Sequence, residues 1–211
     1  MTISLIKRQA ANFLTPLRLG FAVAAVALAA DAAIAARAAA AALVVAAVLL
    51  DWADGWVARR CDAATPFGAL YDILVDRVAE CLWWITLAVL QVVPLWIPLA
   101  VVSRGFVVDA LRSLAYARGL SAFGERSMMR SRWGRALVAS RTSRAAYGIL
   151  KAVAFGWLFA FHAALPARGV FASWLPAAHA VSLALAVLVA VFCLVRGLPV
   201  VLESRRLVSR A

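Results

Sequence analysis

Residues 51–80 read DWADGWVARRCDAATPFGALYDILVDRVAE, and six of the chain's ten acidic residues lie in this stretch. The sequence on either side is of a different kind. Residues 38–50, AAAAALVVAAVLL, and residues 82–90, LWWITLAVL, carry no charge. The same contrast runs through the whole chain: of 211 residues, 66% are hydrophobic and 15% charged, with a mean hydropathy of +0.92. A soluble domain is closer to half apolar and a quarter charged, and one domain of this length cannot bury so much apolar surface. An ordinary soluble enzyme and a disordered chain are both excluded. The net charge of +12 would suggest nucleic acid in a soluble protein. In an apolar chain it fits cytoplasmic loops and an anionic lipid surface instead, so membrane lipids and not nucleic acid are the expected partners.

A membrane-spanning helix needs about 20 apolar residues. On that scale the chain divides into six spans: Leu17–Ala36, Ala38–Leu50 continuing toward Arg59, Leu74–Val93, Leu95–Ala117, Ala145–Leu165 and Trp174–Leu198. The second is short and alanine-rich before it meets Asp51, so its helix must run on into polar surroundings. Alanine there supplies helix propensity and close packing. Residues 1–14 carry Lys7 and Arg8 but lack the apolar core and cleavage site of a signal peptide, and read as a partly amphipathic interfacial helix. The expected fold is all-α, a single membrane domain over residues 1–211. Six spans place both termini, the 2–3 loop and the 4–5 loop on one side; counting with it the six Lys and Arg inside the spans, that side has 20 of the 22, and the other side keeps Arg37 and Arg168. The positive-inside rule makes the crowded side cytoplasmic, as in a bacterial-type cytoplasmic membrane. Trp83, Trp84, Trp96, Trp157 and Trp174 read as interfacial anchors. Cys61, Cys81 and Cys193 show neither metal-ligand nor disulfide spacing, and His162 and His179 fall toward the opposite face with no chemical role assigned.

Within residues 51–80, Asp51 and Asp54 are three apart and share one face of the extended second helix. Asp72 and Asp76 are four apart and share a face of the third. A short connection joins these helices, so the two pairs can converge. Four carboxylates near hydrocarbon repel one another and carry a desolvation cost unless cations hold them. Oxygen-only ligands select a hard divalent ion, Mg²⁺ or Mn²⁺, over zinc. Gly55 and Gly68 let a ligand approach the backbone closely, and Arg59, one turn beyond Gly55, can reach a phosphate oxygen. Together they suit a diphosphate bound through metal. Pairing with Arg59, Arg60 and Arg77 at a membrane boundary explains any one of these acids, but not two spaced pairs, two glycines and an arginine together.

At these residues the chain resembles the CDP-alcohol phosphotransferases, whose signature D-x2-D-G-x2-A-R, about eight residues, then G-x3-D-x3-D is filled by Asp51, Asp54, Gly55, Ala58, Arg59, Gly68, Asp72 and Asp76. Asn12, Thr15 and Arg18, in NFLTPLR, look like the family's N-terminal N-x2-T-x2-R element. The resemblance implies six transmembrane helices around a polar cavity open to the cytoplasm, usually in a homodimer. It implies transfer of a phosphoalcohol unit from a CDP-linked donor to an acceptor hydroxyl, with release of CMP. Carried over by position, Asp51, Asp54 and Asp72 are metal ligands. Asp76 is the base near the acceptor hydroxyl and a further ligand within reach of the metal. Asn12, Thr15, Gly55, Ala58, Arg59 and Gly68 surround the CDP group.

The basic residues after the signature bear on the acceptor. Arg104 and Arg112 are eight apart and face nearly the same way on the fourth helix; Arg141 and Arg144 open the fifth, with Lys151 two turns on. Such a cluster can clamp an acceptor phosphate; the alternative is a basic loop on anionic lipid, which fits Arg126 to Arg135 better. The segment VVSRGFVVDALRSLAYARG resembles the fourth helix of phosphatidylglycerophosphate synthases. Where those enzymes commonly continue with G-K-x-K-T, this chain has Ser140-Arg141-Thr142-Ser143-Arg144, and Gly105 stands where many relatives carry an acid. The expected reaction is therefore transfer from CDP-diacylglycerol to a small phosphorylated alcohol, glycerol 3-phosphate first, with inositol phosphate or phosphatidylglycerol (as in a cardiolipin synthase) as the alternatives. The rival from another class is a divalent-cation transporter using the acids as its ion site, although transporters favour broken helices in matching halves and charges near mid-membrane.

Overall fold

The computed structural model describes the backbone of residues 2–61, 66–117, 129, 131–167 and 173–208, and side chains within 15–53, 71–117, 129, 131–166 and 173–205. All regular structure among the described residues is helical: α1 (Thr2–Ala29), α2 (Ile34–Cys61), α3 (Pro66–Val89), α4 (Trp96–Ala117), a short α5 (Arg132–Gly134) running into a π turn at Arg135–Ala139, α6 (Arg141–Ala164) with a 3-10 turn at Leu165–Ala167, and α7 (Leu175–Val208). They sort into two compact units, one of Met1–Val93 with Phe155–Ser182, the other of Pro94–Ala154 with Leu183–Ala211.

In the first unit α1 packs against α2 and α3. Its buried residues Thr15, Arg18, Ala22, Ala25 and Ala29 recur at three- and four-residue steps, the spacing of one helix face. On α2 the buried face is Ala40, Val44 and Ala47, and the next step of that series is Asp51. Small residues on both faces let the backbones approach closely, which brings the polar ends of α1 and α2 together. Val75, Ala79, Trp83 and Leu87 form the buried face of α3. Trp83 and Trp84 are therefore core residues and not interfacial anchors: Trp83 meets Phe155 edge-on at 5.1 Å between ring centroids, and Trp84 lies 5.0 Å from the same ring. Two adjacent aromatics bury large apolar areas, and Phe155 and Phe159 supply the complementary wall. Trp96 and Trp174 are exposed, as an anchor requires, while Trp157 donates from Nε1 to Ser182 Oγ at 2.9 Å. His162 is buried, with Nε2 2.9 Å from the Ala29 carbonyl.

Element boundaries differ from the sequence expectation: α2 begins at Ile34 and not Ala38, α3 at Pro66 and not Leu74, α6 at Arg141 and not Ala145, and α7 runs to Val208 and not Leu198. Residues 2–29 form one helix through Pro16, without a break between an interfacial segment and a first span. That helix stops at Ala29, short of Ala36, because Asp31 turns the chain: its carboxylate accepts the Ala33 N–H at 2.8 Å and its carbonyl accepts from Arg37 Nε at 2.7 Å. α3 ends at Val89, where Gln91 adopts a left-handed conformation (φ 58°) and the Val92 N–H bonds back to the Leu87 carbonyl at 2.9 Å. The continuation of α2 past Asp51 occurs as expected, to Cys61.

Among the described residues, three helices are long and apolar enough to cross a membrane: Ile34–Ala53, Arg141–Ala164 and Leu175–Arg205. The apolar part of α1 is the shorter stretch Thr15–Ala29. α3 and α4 have the length but carry charge, Asp72, Asp76, Arg77 and Glu80 on one and Arg104, Asp109 and Arg112 on the other. Exposed Leu188, Val191, Leu194 and Val195 on α7 give the protein the apolar exterior that lipid covers.

In the second unit Val108, Ala115, Met129, Val138 and Val200 form a core. Ser131 caps α5 by accepting from the Gly134 N–H at 3.0 Å, and its own N–H and hydroxyl donate to Glu203 near the end of α7. A Cβ at Gly134 would collide with the Glu203 carboxylate and Ser131 Oγ. α6 opens on Ser140, whose hydroxyl accepts the Ser143 N–H at 3.2 Å, a conventional N-cap.

Candidate metal and phosphate site

The first unit gathers Asp51 from α2 and Asp72 and Asp76 from α3 so that one carboxylate oxygen of each lies within 4.8 Å of the other two. Into this convergence α1 sends Arg18. Its Nη1 donates to Asp51 Oδ1, and Nη2 lies 2.9 Å from Oδ1 of both Asp72 and Asp76 and 3.3 Å from the Asp72 carbonyl. The Arg18 side chain is 3% exposed, whereas the three carboxylates are 44–52% exposed. The guanidinium thus approaches from the protein side and the acids open away from it. Arg77, next to Asp76 along α3, donates to Glu80 Oε2 at 3.2 Å.

Like charges this close need a cation, and Arg18 is one. The donor set also fits a divalent ion. Carboxylate oxygens alone suit Mg²⁺ or Mn²⁺. One such oxygen from each acid lies within 4.8 Å of the other two, so Asp51, Asp72 and Asp76 could together hold such an ion.

Of the residues singled out from the sequence, Asp51, Asp72 and Asp76 come together and Thr15 is buried one turn before Arg18. The side chains of Asn12, Asp54, Gly55, Ala58, Arg59 and Gly68 lie outside the described residues. Arg18 belongs to the N-terminal element, and its spacing alone does not link it to the acids. The signal was available: an arginine entering an apolar helix requires anionic partners.

In the second unit, Arg104 and Arg112 of α4 and Arg144 of α6 each lie within electrostatic reach of Arg196 of α7. Sequence reading omits Arg196, although it stands in the most apolar of the three candidate spans. It is 7% exposed, on the α7 face that carries Val189, Cys193 and Val200. Its Nη1 donates to the Ser143 carbonyl and to Ser143 Oγ (3.0 Å), and its guanidinium stacks 5.3 Å from the Tyr147 ring centre. The Lys151 ammonium sits 5.1 Å from the same ring. The Arg104 stem lies against Gly197, where a Cβ would stand 2.6 Å from Nε; that Nε is buried with no hydrogen-bond partner among the described residues. Arg141 is exposed in the first turn of α6. The departure from G-K-x-K-T thus has a structural use: Ser140 caps α6 and Ser143 holds Arg196.

A profile of the CDP-alcohol phosphatidyltransferase family matches residues 8–192, a range that takes in both the acidic cluster and the α4–α6 arginines. The chain belongs to the CDP-alcohol phosphatidyltransferase family. Among curated members, it is 33% identical over 69 residues to the CDP-diacylglycerol–glycerol-3-phosphate 3-phosphatidyltransferase of Bacillus subtilis, covering 33% of this chain and 36% of that protein. It is 38% identical over 69 residues to the enzyme of the same name from Pseudomonas fluorescens, covering 31% and 35%. It is 34% identical over 96 residues to the archaetidylinositol phosphate synthase of Aeropyrum pernix, covering 46% and 49%. The chain thus spans between a third and a half of the length of these CDP-alcohol phosphatidyltransferases. Their names divide over the acceptor.

Proposed function

We propose that the protein moves the phosphatidyl group of CDP-diacylglycerol to a phosphorylated polyol, glycerol 3-phosphate first, and releases CMP. The observation that carries this reading is the convergence of Asp51, Asp72 and Asp76 on a single cationic position in a chain of this family. Asp51, Asp54 and Asp72, with Asp76 as a further ligand, hold Mg²⁺ or Mn²⁺. Such an ion, when bound, neutralises the diphosphate and the charge that develops on CMP. Asn12, Thr15, Gly55, Ala58, Arg59 and Gly68 surround the CDP group. Asp76 accepts the acceptor hydroxyl's proton as that oxygen bonds to the lipid-side phosphorus. The bond from this phosphorus to the bridging oxygen breaks, and its electron pair leaves with CMP.

Arg104, Arg112, Arg141 and Arg144, now with Arg196, take the acceptor's phosphate. Mutually repelling guanidiniums are relieved when an anion lies among them, and arginine's planar fork suits a phosphate. One observation favours a second acceptor. The Aeropyrum pernix relative named for inositol phosphate matches a longer part of this chain than the Bacillus subtilis and Pseudomonas fluorescens relatives do, so inositol phosphate is the alternative substrate.

The proposed setting is a six-span homodimer in a bacterial-type cytoplasmic membrane, with a polar cavity, the active site and both termini cytoplasmic. It adds Thr15–Ala29, α3 and α4 to the three apolar spans, and rests on the distribution of basic residues. Cysteines introduced at Ser121 and Ser209 in a cysteine-free background should resist impermeant thiol reagents in intact cells; rapid labelling of either reverses the orientation. The deciding experiment measures CMP release by purified protein given CDP-diacylglycerol, Mg²⁺ and, separately, glycerol 3-phosphate, inositol phosphate and phosphatidylglycerol. Release with one acceptor names the substrate. Manganese binding without CMP release from any of the three favours an ion-transport role instead.

A further inference from the structure

The mechanism just proposed leaves Arg18 unused, although it is the most buried charged side chain in the acidic cluster. We infer that Arg18 is a resident cation that competes with the divalent ion for Asp51, Asp72 and Asp76: it holds the three carboxylates together in the metal-free protein and yields their oxygens as the ion binds. The inference rests on the metal reading above.

Three observations carry it. The first is shared atoms. Both guanidinium nitrogens of Arg18 lie against Oδ1 atoms of the three acids, Nη2 at 2.9 Å from two of them. An ion ligated by the same carboxylates would sit at about 2.1 Å from its oxygens, placing a double positive charge beside the guanidinium. Ion and arginine therefore oppose each other at this position.

The second is access. The carboxylates are about half exposed while Arg18 is 3% exposed. An ion can reach the open side of the cluster without first crossing the arginine. With Arg18 in place, three carboxylates and one guanidinium retain two negative charges, so the cluster still attracts a divalent ion.

The third is the state of the arginine itself. Arg18 Nε is buried and has no hydrogen-bond partner among the described residues. A buried N–H left unpaired is costly, so this pose of Arg18 depends on its three carboxylate contacts. Drawing those carboxylates toward an ion removes what fixes it. The release also frees Oδ1 of Asp76, an atom that the proposed base must have available. Arg18 is thus a positioning residue, acting through the acids and setting their affinity for metal.

The test is calorimetric titration of Mn²⁺ into the purified full chain in detergent, for wild type, Arg18→Gln and Arg18→Lys, with thermal unfolding of each in EDTA and in saturating Mn²⁺. Losing a set of charge-assisted contacts that oppose the ion should tighten Mn²⁺ binding by about tenfold or more in Arg18→Gln. Arg18→Lys, which keeps the charge with fewer contacts, should fall between the two. The unfolding midpoint of Arg18→Gln should lie below wild type in EDTA and recover in Mn²⁺. If Arg18→Gln is not recovered folded, tighter binding by Arg18→Lys than by wild type carries the same test. Mn²⁺ binding that is unchanged or weaker in these variants overturns the competition. Failure of the wild type itself to bind Mn²⁺ overturns the metal reading and the inference with it.

Discussion

Replacing Asp72, then Asp51, then Asp76 by Asn should give a stability series in EDTA that is not additive. The carboxylate oxygens lie within 4.8 Å of one another, so each pair repels by about 3–4 kcal/mol at an effective dielectric near 20. On the same scale each carboxylate is attracted to the Arg18 guanidinium by about 4 kcal/mol. The first substitution loses one attraction and relieves two repulsions. The second loses one attraction and relieves the single repulsion that remains. The third relieves nothing and leaves Arg18, 3% exposed, without its anions, which costs about 3–5 kcal/mol. Because the acids are about half exposed, solvent screening reduces the first two effects by roughly half. Asp72→Asn should therefore be neutral or more stable by about 1–2 kcal/mol, the double variant close to the single, and the triple lower than the double by about 3–5 kcal/mol. Thermal unfolding of the full chain in detergent with EDTA, followed by tryptophan fluorescence, reads the series. Three equal losses would refute the reasoning, since they would mean that each acid has its own structural partner and that Arg18 does not bind them as a group.

Asp76→Asn should retain much of its Mg²⁺-dependent binding of a CDP-lipid analogue while CMP release falls by about two to four orders of magnitude; loss of binding equal to that of Asp54→Asn would make Asp76 chiefly a ligand. Arg112→Ala and Arg196→Gln should raise the acceptor KM by about ten- to a hundredfold, as expected for a lost charge-assisted contact, and leave the donor KM nearly unchanged; equal effects on both substrates would return these arginines to a packing or lipid role. Trp84→Ala should cost about 3–5 kcal/mol of stability, because the side chain is fully buried beside Phe155. Trp84→Phe should cost less than half as much, since Trp84 Nε1 has no hydrogen-bond partner among the described residues, and denaturant unfolding of both variants separates the two values.

The helices were legible where apolar periodicity is long and uninterrupted. Residues 38–50 announce a helix, and Ala40, Val44 and Ala47 form its buried face on the way to Asp51. Boundaries were not legible where a side chain and not a glycine or proline turns the chain. Asp31 turns the chain after α1 by taking the Ala33 N–H, and Gln91 follows α3 in a conformation that glycine usually supplies. The adjacent Trp83 and Trp84 look like a membrane-interface pair in one dimension. Only the presence of Phe155 and Phe159, some seventy residues later in the chain, makes them core.

The candidate site shows the same division between local and distant information. Asp72 and Asp76 share a helix, so their proximity follows from spacing alone; Asp51 joins them through a short connection, which is nearly as local. The cation that holds all three comes from α1, thirty-three residues before Asp51. What could have revealed it is its cost. Arg18 and Arg196 both interrupt apolar helices, and a guanidinium there must find anions, carbonyls or aromatic faces. Arg18 meets three carboxylates; Arg196 meets the Ser143 carbonyl, the Tyr147 ring and three further arginines. The anions around Arg18 suit the proposed exchange of an arginine for a metal ion, and the guanidiniums around Arg196 suit the proposed receipt of a phosphate.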